Sequence, residues 1–313
     1  MKFQKPRFWD YKKPNLLSRL LLPLTFPLII NNFFLNYKNN NTSHSKIKKI
    51  CIGNIYVGGT GKTPLVIKIY QILNGLNFKT AVIKKFYANH ADEQKILHKN
   101  TRLYCLKDRT LSLNEAIKDN NDIAIFDDGL QDRSINYDLN CVCFNNIKWI
   151  GNGLLIPAGP LREKIESISK YDVVFINGNI TDNTNLKLLI NKYNKNIKIF
   201  ESHYYPTNIE QFKVTENYLI FSGIGNPETF KEILLKNKLN IVKEIIFPDH
   251  YNYTQTDIDR IKLQAKELNA KIITTEKDYV KINSDKNTDI KFLKIQTKIK
   301  NEEELIAYLK PHI

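Results

Sequence analysis

Gly58-Gly-Thr-Gly-Lys-Thr63 packs three glycines, a lysine and two hydroxyl residues into six positions, a spacing suited to gripping phosphate. Ahead of it, Lys46–Ile52 is a basic, apolar run that reads as a buried strand. Behind it, Leu65–Leu73 has helical spacing. Strand, glycine loop and helix together form a cradle whose backbone N–H groups turn onto phosphate oxygens. Glycine permits an approach that a β-carbon would block. The loop residues Tyr56, Val57, Gly58, Gly59, Thr60, Gly61, Lys62 and Thr63 are the expected nucleotide contacts. Lys62 belongs at the β- and γ-phosphates and the Thr63 hydroxyl on Mg²⁺. The usual pattern has glycine five residues before Gly61, where this chain has Tyr56; its other glycines are Gly53, Gly58 and Gly59. A glycine-rich turn that binds nothing is the alternative.

Two further segments carry chemistry. Asp127-Asp128 ends the apolar run Ile123–Phe126, and a carboxylate at the carboxyl end of a buried strand is where a metal-side acid belongs in this class. Adjacent acids there point different ways, one toward Mg²⁺ and the other toward a water or Lys62. The alternative is a plain acidic turn. Gly151-Asn-Gly-Leu-Leu-Ile-Pro-Ala-Gly-Pro-Leu-Arg162-Glu163 is too rich in glycine and proline for a helix or central strand. It reads as a rigid loop that holds Arg162 and Glu163 near a site.

The elements that must position these groups alternate between short apolar runs and helical patterns, the mark of a parallel α/β sheet. Expected strands are Lys48–Asn54, Lys79–Lys85, Asp122–Asp127, Leu139–Phe144, Tyr171–Asn177 and Ile197–His203, with a loop at 178–185 before a helix at Leu186–Tyr193. A boundary falls near Tyr205–Glu210. The second unit holds a strand from Tyr218, a helix from Pro227, a strand Ile241–Phe247, a helix Thr254–Leu268, and strands Lys271–Thr275 and Lys291–Ile295. The expected division is therefore 1–45, 46–208 and 209–313. Pro227 and the Thr254/Asp257 pair suit helix starts.

At the N-terminus, Lys2, Lys5, Arg7, Lys12, Lys13 and Arg19 surround Phe3, Phe8, Trp9 and Tyr11, and the apolar stretch Leu20–Ile30 follows. No small-residue cleavage site follows it, as a signal peptide requires. The stretch is short for a span and carries Pro23 and Pro27. It reads as a membrane-bound or single-span anchor with its basic cluster on the cytoplasmic side; an apolar helix packed on the domain is the alternative.

The formal charge of +15 suits nucleic acid, a membrane surface or an anionic substrate. The chain is also rich in Asn, Ile and Lys, as A·T-rich codons would produce. No nucleic-acid module is readable. Cys51, Cys105, Cys141 and Cys143 form no C-x-x-C and no zinc spacing, and read as buried thiols in a reducing compartment.

Taken together, these segments resemble the tetraacyldisaccharide 4′-kinase family. The likeness is carried by Gly53–Pro64, Asp127-Asp-Gly-Leu-Gln131, Gly151–Glu163, Phe221-Ser-Gly-Ile-Gly225, Pro248-Asp-His-Tyr251 and Thr275-Glu-Lys-Asp278. The resemblance implies an α/β fold: a P-loop kinase-like parallel-sheet domain, a second smaller α/β domain and an N-terminal membrane-associated helix. It implies ATP with Mg²⁺, an acylated glucosamine disaccharide 1-phosphate as acceptor, and a place on the cytoplasmic face of the bacterial inner membrane, with no nucleic-acid partner. It also implies Asp92, beside Glu93, as the base, assisted by His250, with Lys62 on the phosphates and Thr63, Asp127, Asp128 and Glu163 on the metal side. A carboxylate that accepts the proton of a sugar hydroxyl makes chemical sense. The chain departs from the family pattern at Lys84-Lys-Phe-Tyr87, where Ser-Arg-Gly-Tyr is usual, at Ala91 before Asp92, and at Asp132 in place of histidine. Lys84 or Lys85 is positioned to replace the missing positive charge, without its bidentate geometry. A second reading is a P-loop NTPase working as a hydrolysis-driven switch, since Thr275-Glu-Lys277-Asp278 resembles the guanine-reading Asn-Lys-x-Asp of GTPases.

Overall fold

A computed structural model describes residues 5–37, 47–132, 134–180, 182–282 and 287–313, with the backbone alone at 33–37 and 89. Lys2, Phe3, the asparagines at 39–41 and Lys46 lie outside the described residues. The strands are Lys48–Gly53 (β1), Thr80–Lys85 (β2), Leu103–Leu106 (β3), Ile123–Asp127 (β4), Leu139–Asn145 (β5), Val173–Asn177 (β6), Lys198–Pro206 (β7), Asn217–Ser222 (β8), Asn240–Ile246 (β9), Ala270–Thr275 (β10), Ile290–Leu293 (β11) and Ile295–Ile299 (β12).

Chain contacts divide the molecule into two units, 1–86 with 100–203 and 299–313, and 87–99 with 204–298. This differs from the contiguous division at 208, and the cause is visible in the side chains. Helix Ala91–Asn100 is tied to residues far along the chain: Lys95 Nζ donates to the Val280 carbonyl (3.2 Å), and Lys99 pairs with Glu276 (3.6 Å). The last helix, Glu302–Leu309, joins the first unit through Lys68 on Glu302 (2.8 Å) and through Tyr308 against Phe200.

In the first unit the sheet runs β7-β6-β5-β1-β4-β2-β3. Within it β1, β2 and β4 to β7 pair in parallel, and β3 pairs parallel to β2. β4 and β6 are buried along their whole length, as strands covered on both faces must be. That burial explains why they read as unbroken apolar runs rather than alternating ones. The chain leaves β1 toward β2 on one side and returns to β5 on the other, so β1 and β4 end where the strand order reverses, the usual ligand position in such sheets. β3 and the helix Arg109–Lys118 carry no strong pattern and were not expected; β3 is only half-buried.

The second unit has its own parallel sheet, β11-β10-β8-β9. Helix Gln255–Glu267 begins with Thr254 and Asp257 in a reciprocal capping box, as expected. The late apolar stretch divides into β11 and β12 instead of one strand at 291–295.

The N-terminal segment runs as the short helix Leu16–Leu20, a 3-10 turn Leu22–Thr25 and the helix Phe26–Tyr37. Among the described residues, no helix is long and apolar enough to cross a membrane. One side of the segment docks on the Gly-Pro loop. The Trp9 indole donates to the Pro157 carbonyl (3.0 Å), Asn152 N–H donates to the Trp9 carbonyl (2.9 Å), and Asn152 Nδ2 donates to Ser18 Oγ (3.0 Å). Leu28 and Ile29 pack with Tyr56, Leu155 and Leu161.

Gly151 is required at that junction. Its φ is +57°, and a Cβ there would fall 2.1 Å from the Trp9 carbonyl oxygen. Gly151→Ala is expected to lower stability by about 2 kcal/mol, read as a lower urea midpoint. An unchanged midpoint would show that Trp9 does not dock there.

Candidate functional site

The phosphate loop joins β1 to the helix Lys62–Gly75. A loop that presents its N–H groups to an anion needs its other polar atoms satisfied from behind, and Asn54 does much of this. The Asn54 amide, fully buried, donates to the Tyr56 carbonyl (2.6 Å) and to Thr60 Oγ1 (3.0 Å). Asn177, ending β6, donates to the Thr60 carbonyl (2.7 Å). Val57 N–H donates to the Pro160 carbonyl (2.9 Å), and Arg162 N–H donates to the Ile55 carbonyl (2.7 Å), so the Gly-Pro loop clamps the phosphate loop as a strand-like partner. Tyr56 also hydrogen-bonds Asp10 through its hydroxyl (2.5 Å) and meets Lys5. Gly61 opens the helix at φ +83°, a conformation that disfavours any side chain.

That clamp delivers Arg162 onto Asp128. Arg162 Nη1 lies 3.0 and 3.1 Å from the two Asp128 carboxylate oxygens, and Lys62 Nζ lies 3.6 Å from Oδ1. Burial alone would raise the Asp128 pKa, but Lys62, Arg162 and Lys84 outweigh it and hold the group near 2. Asp128 also sits at φ 60°, while Arg109 Nη2 donates to its carbonyl (2.7 Å). A left-handed non-glycine residue is strained backbone, a frequent companion of functional positions.

Asp127 pairs with Lys84 at 2.6 Å, both side chains buried. The β2–β4 register sets Lys84 beside Asp127, which shows where one of the two substituted lysines spends its charge. Asp127 Oδ1 has no hydrogen-bond partner among the described residues. Glu163 accepts from Gln131 Nε2 (2.8 Å) and from the Tyr171 hydroxyl (3.1 Å). Asp132 accepts from Arg109 Nη1 (2.9 Å). Thr63 falls in the first turn of the helix. Among the described residues, no three His, Cys, Asp or Glu side chains form a metal-holding cluster.

The second unit brings Asp92 and His250 together. Asp92 lies in the first turn of helix Ala91–Asn100, where an acid suits the helix dipole, and its side chain is only 2% exposed. His250 Nδ1 is 3.2 Å from each of its carboxylate oxygens. His250 sits at φ 56°, with its N–H on the Gly223 carbonyl (3.2 Å). The His90 ring stacks on the His250 ring at 4.2 Å and 3°. Lys281 Nζ lies 3.5 Å from Asp92 Oδ2. Lys277 Nζ reaches Glu93 (3.1 Å), Asp249 (3.4 Å) and Asp92 (3.9 Å). Burial would raise the Asp92 pKa, yet the His250 hydrogen bond, Lys277 and Lys281 hold it at about 2.

Asn54, Asn177, Gln131, Tyr171 and Lys281 were not singled out from sequence. Each acts through a fold-dependent hydrogen bond or ion pair; Asn54 and Gln131 lie within quoted family-like segments, but the sequence assigned them no role. Lys277, quoted within a family-like segment and for its likeness to a base-reading motif but given no role, joins the carboxylate–histidine cluster.

A glycine loop closing the central strand of a parallel sheet and opening a helix with Lys-Thr defines a P-loop nucleotide-binding protein of kinase-like architecture. The family model described as tetraacyldisaccharide-1-P 4′-kinase matches residues 17–313. The chain belongs to that family. A tetraacyldisaccharide 4′-kinase of Pelagibacter ubique (strain HTCC1062) is 50% identical over 305 residues, spanning 97% of this chain and 96% of the relative. One of Rickettsia canadensis (strain McKiel) is 36% identical over 322 residues, with 96% and 95% covered. A crystal structure of LpxK from Aquifex aeolicus in complex with ATP matches with a TM-score of 0.70 at 20% identity, covering 95% of this chain and 99% of that one. At that identity the likeness speaks for the fold.

Because Asp92 falls from an ordinary 3.8 to about 2 on folding, its ionisation contributes about 2 kcal/mol of stability. That contribution is complete above pH 4 or so and disappears as pH drops through about 2. Asp92→Asn should therefore destabilise at neutral pH, with the gap from wild type closing in acid. Urea unfolding at pH 7 and pH 3 measures it; a gap independent of pH would contradict the electrostatic assignment.

Proposed function

We propose that this chain transfers the γ-phosphate of ATP to the 4′-hydroxyl of a tetraacyldisaccharide 1-phosphate, giving the 1,4′-bisphosphate of lipid A biosynthesis. The observation that carries the reading is the phosphate loop, with Asn54, Asn177 and Pro160 holding its own polar groups from behind and Lys62 at the mouth of the helix. Lys62 offsets charge on the γ-phosphate as it transfers. The free Asp127 oxygen and the Thr63 hydroxyl fit a magnesium ion, which takes one or two carboxylates together with substrate phosphates. Mg²⁺, when bound there, would offset charge on the transferring phosphates. Asp128 and Glu163 belong to the metal side on this reading, held by Arg162 and Gln131.

Asp92 accepts the proton of the 4′-hydroxyl, and His250 fixes the carboxylate. A carboxylate held near 2 is a weak base, but phosphoryl transfer has a loose transition state in which charge on the attacking oxygen changes late. It is also ionised at every physiological pH, so it is always ready to accept. The switch reading loses its motif. Asp278 is engaged by Gly223 N–H (2.9 Å), Thr275 Oγ1 (2.7 Å) and Lys281 (2.8 Å), and Lys277 by acids of its own unit.

The same reading places the protein on the cytoplasmic face of the inner membrane. The side of the N-terminal segment turned from the Gly-Pro loop exposes Leu16 (75%), Leu20 (68%), Leu24 (61%) and Phe26 (62%), with Lys12, Lys13 and Arg19 exposed beside them. An apolar strip flanked by cations suits an anionic lipid surface.

With labelled ATP, Mg²⁺ and tetraacyldisaccharide 1-phosphate, label should reach the lipid. Lys62→Ala should reduce this by roughly 10³-fold. Phosphate release without labelled lipid would reject the kinase reading. In co-sedimentation with anionic phospholipid vesicles, replacing Leu16, Leu20, Leu24 and Phe26 by serine should weaken binding at least about tenfold. Undiminished binding would move the membrane contact elsewhere.

A further inference from the structure

Four groups compete for the two nitrogens of His250, and together they dictate its protonation. Nδ1 faces both oxygens of Asp92 (3.2 Å each). An ionised carboxylate only accepts, so Nδ1 carries the hydrogen. Nε2 lies 3.4 Å from Lys277 Nζ, 3.7 Å from Glu93 Oε1 and 3.9 Å from Asp249 Oδ1. An ammonium only donates, so its approach demands a bare Nε2. Glu93 and Asp249 pull the other way, because each would accept from an Nε2–H. Lys277 ends this competition by occupying both acids itself, at 3.1 and 3.4 Å.

We propose that Lys277 is a positioning residue that holds His250 in its neutral Nδ1–H form. The link to catalysis rests on the kinase reading above; the protonation state does not. Charged neighbours of the imidazole are Asp92, Glu93 and the stacked His90 from residues 90–93, Asp249 from its own loop, and Lys277 from the helix Glu276–Tyr279, with Lys281 reaching it through Asp92. Without Lys277, three carboxylates surround the ring against one remaining lysine. The imidazole then takes a second proton from solvent, and its Nε2–H turns to Glu93. An imidazolium beside Asp92 binds that carboxylate more tightly, leaving it a poorer acceptor for the proton of the substrate hydroxyl. A neutral imidazole orients Asp92 through one hydrogen bond and leaves its charge in place.

The test uses the full chain labelled with ¹⁵N-histidine, with the His250 signals assigned among the six histidines by Asp92-independent comparison with His250→Gln. Long-range ¹H–¹⁵N correlation spectra of wild type near pH 8 should show Nδ1 protonated and Nε2 bare; a major Nε2–H form overturns the proposal without any variant. At neutral pH, Lys277→Met should show more of the ring with hydrogen on both nitrogens than wild type does. Lys277→Arg, which keeps the cation, should stay near wild type. Identical protonation patterns in all three proteins overturn the proposal. In lipid phosphorylation, Lys277→Met should lower kcat at neutral pH about tenfold with KM for ATP unchanged, and part of the loss should return as pH is raised. The predicted spectra without lipid phosphorylation in wild type would retain the protonation assignment and reject the kinase reading instead.

Discussion

A backbone loop offers its N–H groups to an anion only if something else holds it open, and here that is done by hydrogen bonds to the loop's far side. Asn54 reaches forward to Tyr56 and Thr60, Asn177 takes the Thr60 carbonyl, and the Gly-Pro loop pairs with Ile55 and Val57. Each of these bonds is buried or half-buried, where an unmade one costs about 1–3 kcal/mol. The loop is therefore set before any nucleotide arrives, so less ordering entropy has to be spent on binding. The same pairing carries Arg162 to Asp128, so the positions of loop and carboxylate are not independent.

Three buried or half-buried aspartates in the two units are matched by cations. Asp127 has Lys84, Asp128 has Arg162 and Lys62, and Asp92 has Lys277 and Lys281. Removing one member leaves the others desolvated and unpaired, which is more costly than never having the pair. The excess of basic residues thus has local uses beyond any composition bias, and Lys84 illustrates them. Where the related pattern has serine, this chain places a lysine whose ammonium lies on Asp127. That offsets the charge on Asp127 without disturbing the strand, because β2 and β4 already run in register there.

Much of the fold was legible because parallel strands buried on both faces read as apolar runs, and β1, β2 and β4 to β6 appear within a residue or two of expectation. The phosphate loop was legible because its chemistry is local: glycines, Lys62 and Thr63 work from consecutive positions. The Asp92–His250 pair was not. Its members stand 158 residues apart, and neither has neighbours in sequence that mark it; only the family resemblance named them. The boundary at 208 missed that helix Ala91–Asn100 belongs with residues 204–298, since ion pairs across such separations leave no periodic trace. β3 escaped notice as a half-buried edge strand with little apolar content.

The N-terminal segment was expected either to meet a membrane or to pack on the domain; one side packs on the domain and the other is exposed. Trp9, Ser18, Leu28 and Ile29 face the Gly-Pro loop, while Leu16, Leu20, Leu24 and Phe26 are left in water at a cost that burial in an apolar phase would remove. A helix of 12 residues rises about 18 Å at 1.5 Å per residue, well under the roughly 30 Å of a bilayer's hydrocarbon core. On the proposed membrane association, an interfacial position would let the outward leucines enter the acyl boundary while the inward side keeps its polar bonds to Asn152 and Pro157. Insertion as a span would break those inward bonds and expose Gly151 and Pro160 on the loop that clamps Val57. The segment's docking is therefore part of what keeps the phosphate loop in shape, and of the two proposed membrane positions the interfacial one is compatible with it.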